Sequence, residues 1–87
     1  MKYLNENFRY PQEALDNEVQ GTVLIQFIVE KDGRLSDIHA IKSGDLSLSK
    51  EALRMITQSG KWEAAKQNGK IVRSYKIQPI TFKLEAE

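Results

Sequence analysis

Apolar residues alternate with other residues over residues 22–30, which is the period of a β-strand. One face of this predicted strand is fully apolar. The other face is half apolar, with Leu24 and Ile28 beside polar neighbours. A strand with apolar residues on both faces is expected at the centre of its sheet. The fully apolar face consists of Val23, Ile25, Phe27 and Val29.

A tight turn follows this first strand. Asp32-Gly33 is a strong hairpin signal, since glycine accepts the positive φ that a two-residue turn requires. We therefore expect an antiparallel return strand over residues 34–42. Leu35 and Ile38 have opposite parity on this strand, which predicts a bulge or a twist between them.

Two short helices are predicted, one on each side of the hairpin. Pro11 suits the first position of a helix, and we expect a helix over residues 11–17. Apolar residues recur at helical spacing after the hairpin, which predicts a second helix over residues 50–59 closed by Gly60. Trp62 follows at once, and we expect its large ring to fill the seam between helix and sheet.

The last predicted element is a long strand over residues 71–84, which follows a second tight turn at Asn68-Gly69. Pro79 lies inside it, and because proline cannot donate to a β-ladder, this strand belongs at a sheet edge. A helix connects the second and third strands, so these two run parallel. Placing the first strand between them makes every neighbouring pair antiparallel. The expected fold is α+β: a three-stranded antiparallel sheet in the order second, first, third, with two helices packed on one face.

The core is expected to contain residues that share a strand face or the helical stripe. Tyr75 and Ile77 fall on the opposite face of the last strand. The predicted core residues are Leu15, Val23, Ile25, Phe27, Val29, Leu35, Ile38, Leu53, Ile56, Trp62, Ile80, Phe82 and Leu84.

The composition is that of one small globular domain, with 87 residues, 40% hydrophobic and 29% charged. A formal net charge of +1 argues against a generally polycationic nucleic-acid binder. The absence of cysteine excludes disulfides, thiolate zinc sites and cysteine nucleophiles. The longest apolar run, residues 23–29, is interrupted by Gln26 and is far shorter than the ~20 residues of a membrane helix.

Candidate catalytic and metal-binding residues are sparse. His39 is the single histidine, so a metal site lacks converging ligands. Ser36, Asp37 and His39 are the residue types of a hydrolase triad, but strand neighbours alternate faces, so Ser36 and His39 point apart. One basic segment is interleaved with aromatic residues, which fits either nucleic-acid binding by stacking or a solvated face with Trp62 in the core. The low net charge favours the solvated face. The segment contains Lys61, Trp62, Lys66, Lys70, Arg73, Tyr75 and Lys76.

A series of motifs runs along residues 4–84 in a specific order. It consists of Tyr10-Pro11, Ala14, Gly21, the alternating residues Val23, Ile25, Phe27 and Val29, Asp32-Gly33-Arg34, Ser43-Gly44, Leu48, Ala52, Trp62, Asn68-Gly69 and the ending Pro79-Ile80-Thr81-Phe82-Lys83-Leu84. In order and spacing these motifs closely resemble the C-terminal domain of TonB, the periplasmic energy transducer of Gram-negative bacteria. The second turn and the ending look most like TonB-like proteins of Bacteroides-type bacteria. The chain departs from the family at Ser49, where many members carry Asp, and at Glu63-Ala64 after the tryptophan, where many carry x-Pro.

The resemblance implies that residues 1–87 are a single domain cut from a longer membrane-anchored protein. An inner-membrane helix and a Pro-rich periplasmic spacer would precede residue 1, and the helix would couple the domain to a proton-driven motor complex. The domain would be periplasmic, would bind no cofactor and would not be an enzyme. Its partner would be the TonB box, an extended peptide of outer-membrane transporters that import an iron complex, a vitamin or a glycan.

The last strand is where this resemblance and the strand pattern agree, because an edge strand offers unpaired backbone groups to an incoming peptide. Pro79 has no N–H, so its side of the strand should face outward, and residues of the same parity should direct their backbone groups outward too. Tyr10 and Pro11 are added on the resemblance alone, and a hydrophobic staple at the helix start explains them equally well. The predicted partner-binding residues are Tyr10, Pro11, Arg73, Tyr75, Ile77, Pro79, Thr81 and Lys83.

Other interpretations stay open. TonB-like domains also occur as appendages of membrane sensors and peptidases, and the distinguishing regions lie outside these residues. A self-association module or homodimer is a second alternative, since Leu24 and Ile28 leave apolar area on the sheet face away from the helices. A small enzyme is the least supported, because no group of residues meets the geometric needs of a catalytic site.

Overall fold

The computed structural model describes residues 10–84, so the first part of the expected domain, residues 4–9, lies outside the described residues. The order is helix α1 (Gln12–Asp16), strands β1 (Gly21–Val29) and β2 (Leu35–Lys42), helix α2 (Leu46–Thr57), and strands β3 (Ala65–Gln67), β4 (Lys70–Val72) and β5 (Ser74–Phe82). The main sheet is antiparallel in the order β2-β1-β5, and β3 and β4 form a separate two-stranded sheet. The predicted α+β fold with the first strand at the centre is confirmed. Within residues 10–84, neither helix is long and apolar enough to cross a membrane.

One face of the main sheet and the two helices enclose the core. The predicted inner face of β1 is at most 1% exposed along its four apolar residues. Ile80 and Phe82 continue this layer on β5, and Ala14 adds to it from α1. The buried residues of α2 that cover the sheet are Leu48, Ala52, Met55 and Ile56.

Strand β2 is irregular. Its pairing with β1 shifts between Ser36 and His39, so Asp37 and Ile38 together face one residue of β1. Asp37 has a φ of 50°, a left-handed conformation that residues other than glycine rarely adopt. The bulge predicted after Leu35 is therefore confirmed. A second register shift, nearer the end of β2, was not indicated by the apolar pattern.

The second helix begins at Leu46, so the predicted span of 50–59 is wrong at its start, and it ends at Thr57 rather than residue 59. Asp45 explains the early start. Its carboxylate accepts hydrogen bonds from the backbone N–H groups of Ser47 and Leu48, which satisfies two donors that every helix start leaves unpaired. The prediction placed the start at the apolar stripe and not at this cap.

The predicted strand over residues 71–84 is in fact two strands. Arg73 separates β4 from β5, and β5 ends at Phe82. Asn68 and Gly69 have φ values of 52° and 78°, as the predicted two-residue turn requires. This turn pairs β4 with β3, a three-residue strand that is too short to show a period of its own.

Several core assignments need correction. Leu15 is 39% exposed, because α1 turns Ala14 toward the core instead. Leu84 lies beyond the end of β5, is half-buried and is not part of the core cluster. Ile28, which was assigned to the exposed face, is only 7% exposed. Partly buried residues that pack against the core, rather than within it, are Leu35, Ile38, Leu53 and Trp62.

Trp62 fills the seam between α2 and the sheet, as predicted. Its ring meets Phe27 edge-on with the centroids 4.9 Å apart, and its indole N–H donates to Ser59 Oγ at 2.7 Å. The Trp62 backbone N–H donates to the Gly33 carbonyl at 2.9 Å. A Cβ atom on Gly33 would lie 2.4 Å from the Trp62 carbonyl oxygen. The first turn therefore needs glycine both for its φ of 87° and for this close approach.

Candidate functional site

Strand β5 forms one edge of the main sheet. It pairs with β1 along its whole length, from Ser74 opposite Val29 to Phe82 opposite Gly21, without a register shift. Within residues 10–84 no strand pairs with its other side, which we call the outer edge. A regular strand with one unpaired side is a template for the addition of a further strand.

The direction of the backbone groups on β5 follows from the other side of β1. The N–H of Glu30, one residue past β1, donates to the Arg34 carbonyl at 2.8 Å. Even-numbered residues of β1 therefore direct their backbone groups toward β2, and odd-numbered ones toward β5. Because the register pairs odd-numbered residues of β1 with even-numbered residues of β5, the odd-numbered residues of β5 direct their backbone groups to the outer edge. These are Tyr75, Ile77, Pro79 and Thr81.

Pro79 interrupts the row of donors on the outer edge. It has no N–H, and the side-chain amide of Gln78 donates to its carbonyl at 3.0 Å. The N–H groups that an added strand can use are therefore those of Tyr75 and Ile77 before the proline and Thr81 after it. This is the arrangement that the missing N–H of Pro79 predicts, while the partner-binding role of these residues stays a prediction.

The opposite edge of the main sheet, formed by β2, is less suited to strand addition. Its two register shifts and the left-handed Asp37 break the row of backbone groups into short pieces. Bulges of this kind protect sheet edges from pairing with another chain. The main sheet thus offers its regular edge at β5.

An exposed apolar strip lies beside the outer edge, on the sheet face away from the helices. Tyr75 is 68% exposed and Ile77 is 54% exposed, and their cross-strand neighbours on β1 are Ile28 and Gln26. The expectation that Leu24 and Ile28 leave apolar area on this face is wrong for Ile28, which is buried. The exposed apolar surface comes from β5.

Arg73 is held at the start of β5 by an ion pair. Its Nε and Nη2 atoms donate to the two carboxylate oxygens of Glu30 at 3.0 and 3.2 Å. The Ser36 hydroxyl donates to the same carboxylate. The hydrogen bonds from Arg73 and then Ser36 lower the pKa of Glu30 below its usual value. Arg73, predicted to bind a partner, therefore ties the junction of β4 and β5 to the end of β1.

Tyr10 lies beside the other end of β5. Its ring meets the Phe82 ring edge-on with the centroids 5.6 Å apart, and its hydroxyl donates to the Val19 carbonyl. Leu15, the residue that a hydrophobic staple would use, is exposed. Pro11 is half-buried and is the N-cap of α1. The structure thus brings Tyr10 to β5 and gives it packing contacts of its own.

The two remaining predicted residues lie at the same end of the strand. The Thr81 hydroxyl is 3.0 Å from that of Thr22 on β1, so its side chain is on the sheet face away from the helices. Lys83 is exposed and lies just past the end of β5.

The other candidate chemistry does not converge on a site. His39 is exposed, and its Nδ1 atom lies 3.0 Å from the Asp37 carbonyl oxygen. Ser36 is bonded to Glu30 instead of His39. The described part of the chain contains no group of histidines and carboxylates that could hold a metal ion. Trp62 is partly buried and packs against the core, as the solvated-face interpretation of the basic segment expects.

The sequence did not indicate two residues that contact this edge. Val29 lies opposite Ser74 in the β1–β5 register, so the next residue pair is Glu30 and Arg73. Glu30 is therefore recognisable as the partner of Arg73 only once this register is known. Gln78 covers the carbonyl of the following proline, and no pattern in the chain signals that contact.

Comparisons with known proteins agree with this fold. A sequence model of the family described as Gram-negative bacterial TonB protein C-terminal matches residues 6–84. The fold is similar to the NMR solution structure of the Helicobacter pylori TonB C-terminal domain, with a TM-score of 0.76 and 24% identity over 99% of this chain and 78% of that chain. It is also similar to the Pseudomonas aeruginosa TonB C-terminal domain, with a TM-score of 0.66 and 26% identity over 91% of this chain and 80% of that chain. A search of curated protein sequences found no match.

Proposed function

Because this chain belongs to the family of Gram-negative bacterial TonB C-terminal domains, we propose that it grips the TonB box of outer-membrane transporters by strand addition to the outer edge of β5. Domains of this family are periplasmic and interact with TonB-dependent outer-membrane transporters. The observation that carries the proposal is the regular, unpaired side of β5, whose outward N–H groups belong to Tyr75, Ile77 and Thr81.

Strand addition suits a transducer that serves several receptors. Main-chain hydrogen bonds supply affinity with little dependence on peptide sequence, and alternate side chains add selectivity. The exposed Tyr75 and Ile77 offer those side-chain contacts on one face. A ladder pulled along its strands must also break several hydrogen bonds together, which lets it carry load during transport.

The rest of the proposal concerns the protein in which this domain works. An inner-membrane helix would link it to a proton-driven motor complex, and the force would open an outer-membrane transporter for its cargo. The domain would have a mechanical and not an enzymatic role, in keeping with a family of non-enzymatic transducer domains.

Amide hydrogen exchange with a synthetic TonB-box peptide tests the proposal. In the isolated domain, the Ile77 and Thr81 amides should exchange fast, since their N–H groups face the outer edge. Added peptide should slow both. The Lys76 and Ile80 amides are matched controls, because they face β1 and should be protected with or without peptide.

Two outcomes would contradict the proposal. Protection of Ile77 and Thr81 in the isolated monomer would show that the edge is already occupied. A particle mass that rises with protein concentration, without any response to peptide, would instead support the self-association module.

The role of Tyr10 needs its own comparison. Tyr10→Ala removes the ring that packs on Phe82, whereas Tyr10→Phe keeps the ring and loses the hydrogen bond to Val19. If Tyr10 contributes to the peptide site, Tyr10→Ala should weaken peptide binding beyond what the fall in its melting temperature explains. A loss of stability alone would assign Tyr10 to packing.

A further inference from the structure

The outer edge continues past the start of β5. In the β3–β4 hairpin, the two-residue turn makes Gln67 and Lys70 the pair that exchanges both backbone hydrogen bonds. The backbone N–H and C=O groups of even-numbered residues of β4 therefore point toward β3, and those of Ile71 point away from it. The backbone groups of odd-numbered residues of β5 likewise point away from β1. Strands β3 and β1 therefore lie on the same side of the continuous segment formed by β4 and β5.

The junction between β4 and β5 preserves this alternation. Arg73 occupies the position opposite Glu30 in the continued β1–β5 register, and their two hydrogen bonds show that the residues do lie across from each other. The outward row of backbone groups therefore runs from Ile71 to Thr81. At about 3.4 Å per residue, this edge is about 34 Å long.

The side chains along this edge divide by face. Ile71, 51% exposed, shares the face of Tyr75 and Ile77. Lys70 and Lys76 share the other face, because both are even-numbered, and they are six residues or about 20 Å apart along the strand. Within residues 10–84, neither lysine takes part in an ion pair.

The charge of this region indicates the chemistry of its partner. Residues 61–84 contain six basic residues and one acidic residue. Arg73 is neutralised by Glu30, but the lysines of the edge are left for a partner. An added strand places its own side chains about 5 Å from those of the edge, and opposite charges at such positions are favourable.

We propose that the docking edge extends over β4 to Ile71 and selects an extended acidic peptide whose carboxylates, six residues apart on one face, lie opposite Lys70 and Lys76. The other face of the peptide carries apolar side chains against Ile71, Tyr75 and Ile77. The six-residue spacing of the carboxylates applies to a parallel or an antiparallel peptide, because in both cases each successive peptide residue lies opposite the next residue of the edge. The proposal rests on the proposed function, strand addition to β5, and adds the length and charge pattern of the ligand.

Synthetic peptides of 13 residues test the spacing. The probe alternates valine and threonine and carries two glutamates six residues apart on the threonine face. One control replaces both glutamates with glutamine, a second sets them four residues apart on the same face, and a third is a short peptide that spans only Ile77–Thr81. The probe should slow exchange at the Ile71 amide and bind more tightly than each control. Each exposed ion pair should contribute about two- to fivefold in Kd.

A charge swap on the protein gives a matched test. Lys70→Glu and Lys76→Glu change exposed side chains and should leave the fold intact. Each should weaken the glutamate probe and strengthen a version with lysine at the same two positions. Lys50→Glu on the exposed side of α2 is the control and should change neither affinity.

The outcomes separate this inference from the proposed function. If the long and short peptides bind equally and only the Ile77 and Thr81 amides are protected, strand addition stands and the extended edge is overturned. Equal binding of the four-residue and six-residue spacings would overturn the charge pattern. If no peptide, including a TonB-box peptide, protects Ile77 or Thr81, the proposed function itself fails.

Discussion

Proline substitutions at two adjacent positions of β5 test the outer edge and the β1-facing side of the strand separately. In Ile77→Pro the lost N–H faces the outer edge, so the ladder to β1 keeps all its hydrogen bonds. The preceding Lys76 is already in a strand, which is the conformation that a following proline requires. In Lys76→Pro the lost N–H faces Phe27 of the central strand, and the ring enters the ladder.

The magnitudes follow from these positions. Ile77 is 54% exposed, so Ile77→Pro should lower the free energy of unfolding by no more than about 1 kcal/mol. Lys76→Pro leaves the Phe27 carbonyl unsatisfied inside the sheet, which alone costs about 1–3 kcal/mol. Ile77→Pro should still weaken TonB-box binding about tenfold, because one donated hydrogen bond of about 0.5–1.5 kcal/mol is lost and the ring crowds the incoming strand.

Urea denaturation and calorimetric titration with the peptide measure both effects. The expected result is a split: Ile77→Pro folds and binds the peptide about tenfold more weakly, and Lys76→Pro is destabilised. If Ile77→Pro unfolds as readily as Lys76→Pro, the backbone directions derived for β5 are wrong. If it folds and binds like the unsubstituted domain, the peptide does not use the outer edge.

Three further predictions concern the fold that supports this edge. Phe27→Ala should lower the free energy of unfolding by about 3–5 kcal/mol, most of the stability of a small domain; an unchanged denaturation midpoint would mean that Phe27 is not the centre of the core. Gly33→Ala should destabilise the domain more than Gly60→Ala, because both have positive φ but only Gly33 meets a backbone oxygen; equal melting temperatures would contradict that close contact. The Ser47 hydroxyl also donates a hydrogen bond to the Asp45 carboxylate. This bond and then the Leu48 N–H bond lower the pKa of Asp45 from 3.8, so the contribution of Asp45 to stability is complete above that value and is lost as pH falls through the lower folded pKa. Asp45→Ala should therefore destabilise the domain at pH 7, and in denaturation experiments the difference from the unsubstituted domain should shrink as the pH is lowered below 3.8.

Local patterns were enough to predict the main sheet. The alternation in β1 identified the face that packs against the helices, although Ile28 on the other face is buried as well, and the parity change between Leu35 and Ile38 located the bulge in β2. Pro79 alone placed β5 at the edge, because an unsatisfied ladder position is costly in a central strand. Each of these arguments needs only one strand and the chemistry of its residues. The same proline predicted that the backbone groups of odd-numbered residues of β5 point toward the outer edge.

The features that escaped prediction depend on contacts between distant segments or on very short elements. β3 has three residues, too few to show a period, so β4 was merged with β5. The start of α2 depends on the hydrogen bonds of Asp45, whereas the prediction relied on apolar spacing. The ion pair between Arg73 and Glu30 links residues 43 positions apart, which no local pattern reveals, while the partner-binding role assigned to Arg73 from its parity with Pro79 stays a prediction.

An edge that stays open for a partner is also exposed to pairing with a second copy of itself, and the residues of β4 and β5 act against that. Pro79 removes one donor, and the Gln78 side-chain amide donates to the carbonyl of Pro79 itself. Two such edges placed side by side would bring Lys70, Lys76 and their copies onto one small sheet face, where like charges repel. An acidic strand meets the reverse situation, because the same lysines attract it. Under the proposed docking edge, Lys70 and Lys76 of the basic segment would therefore discriminate between an acidic partner strand and another copy of the domain.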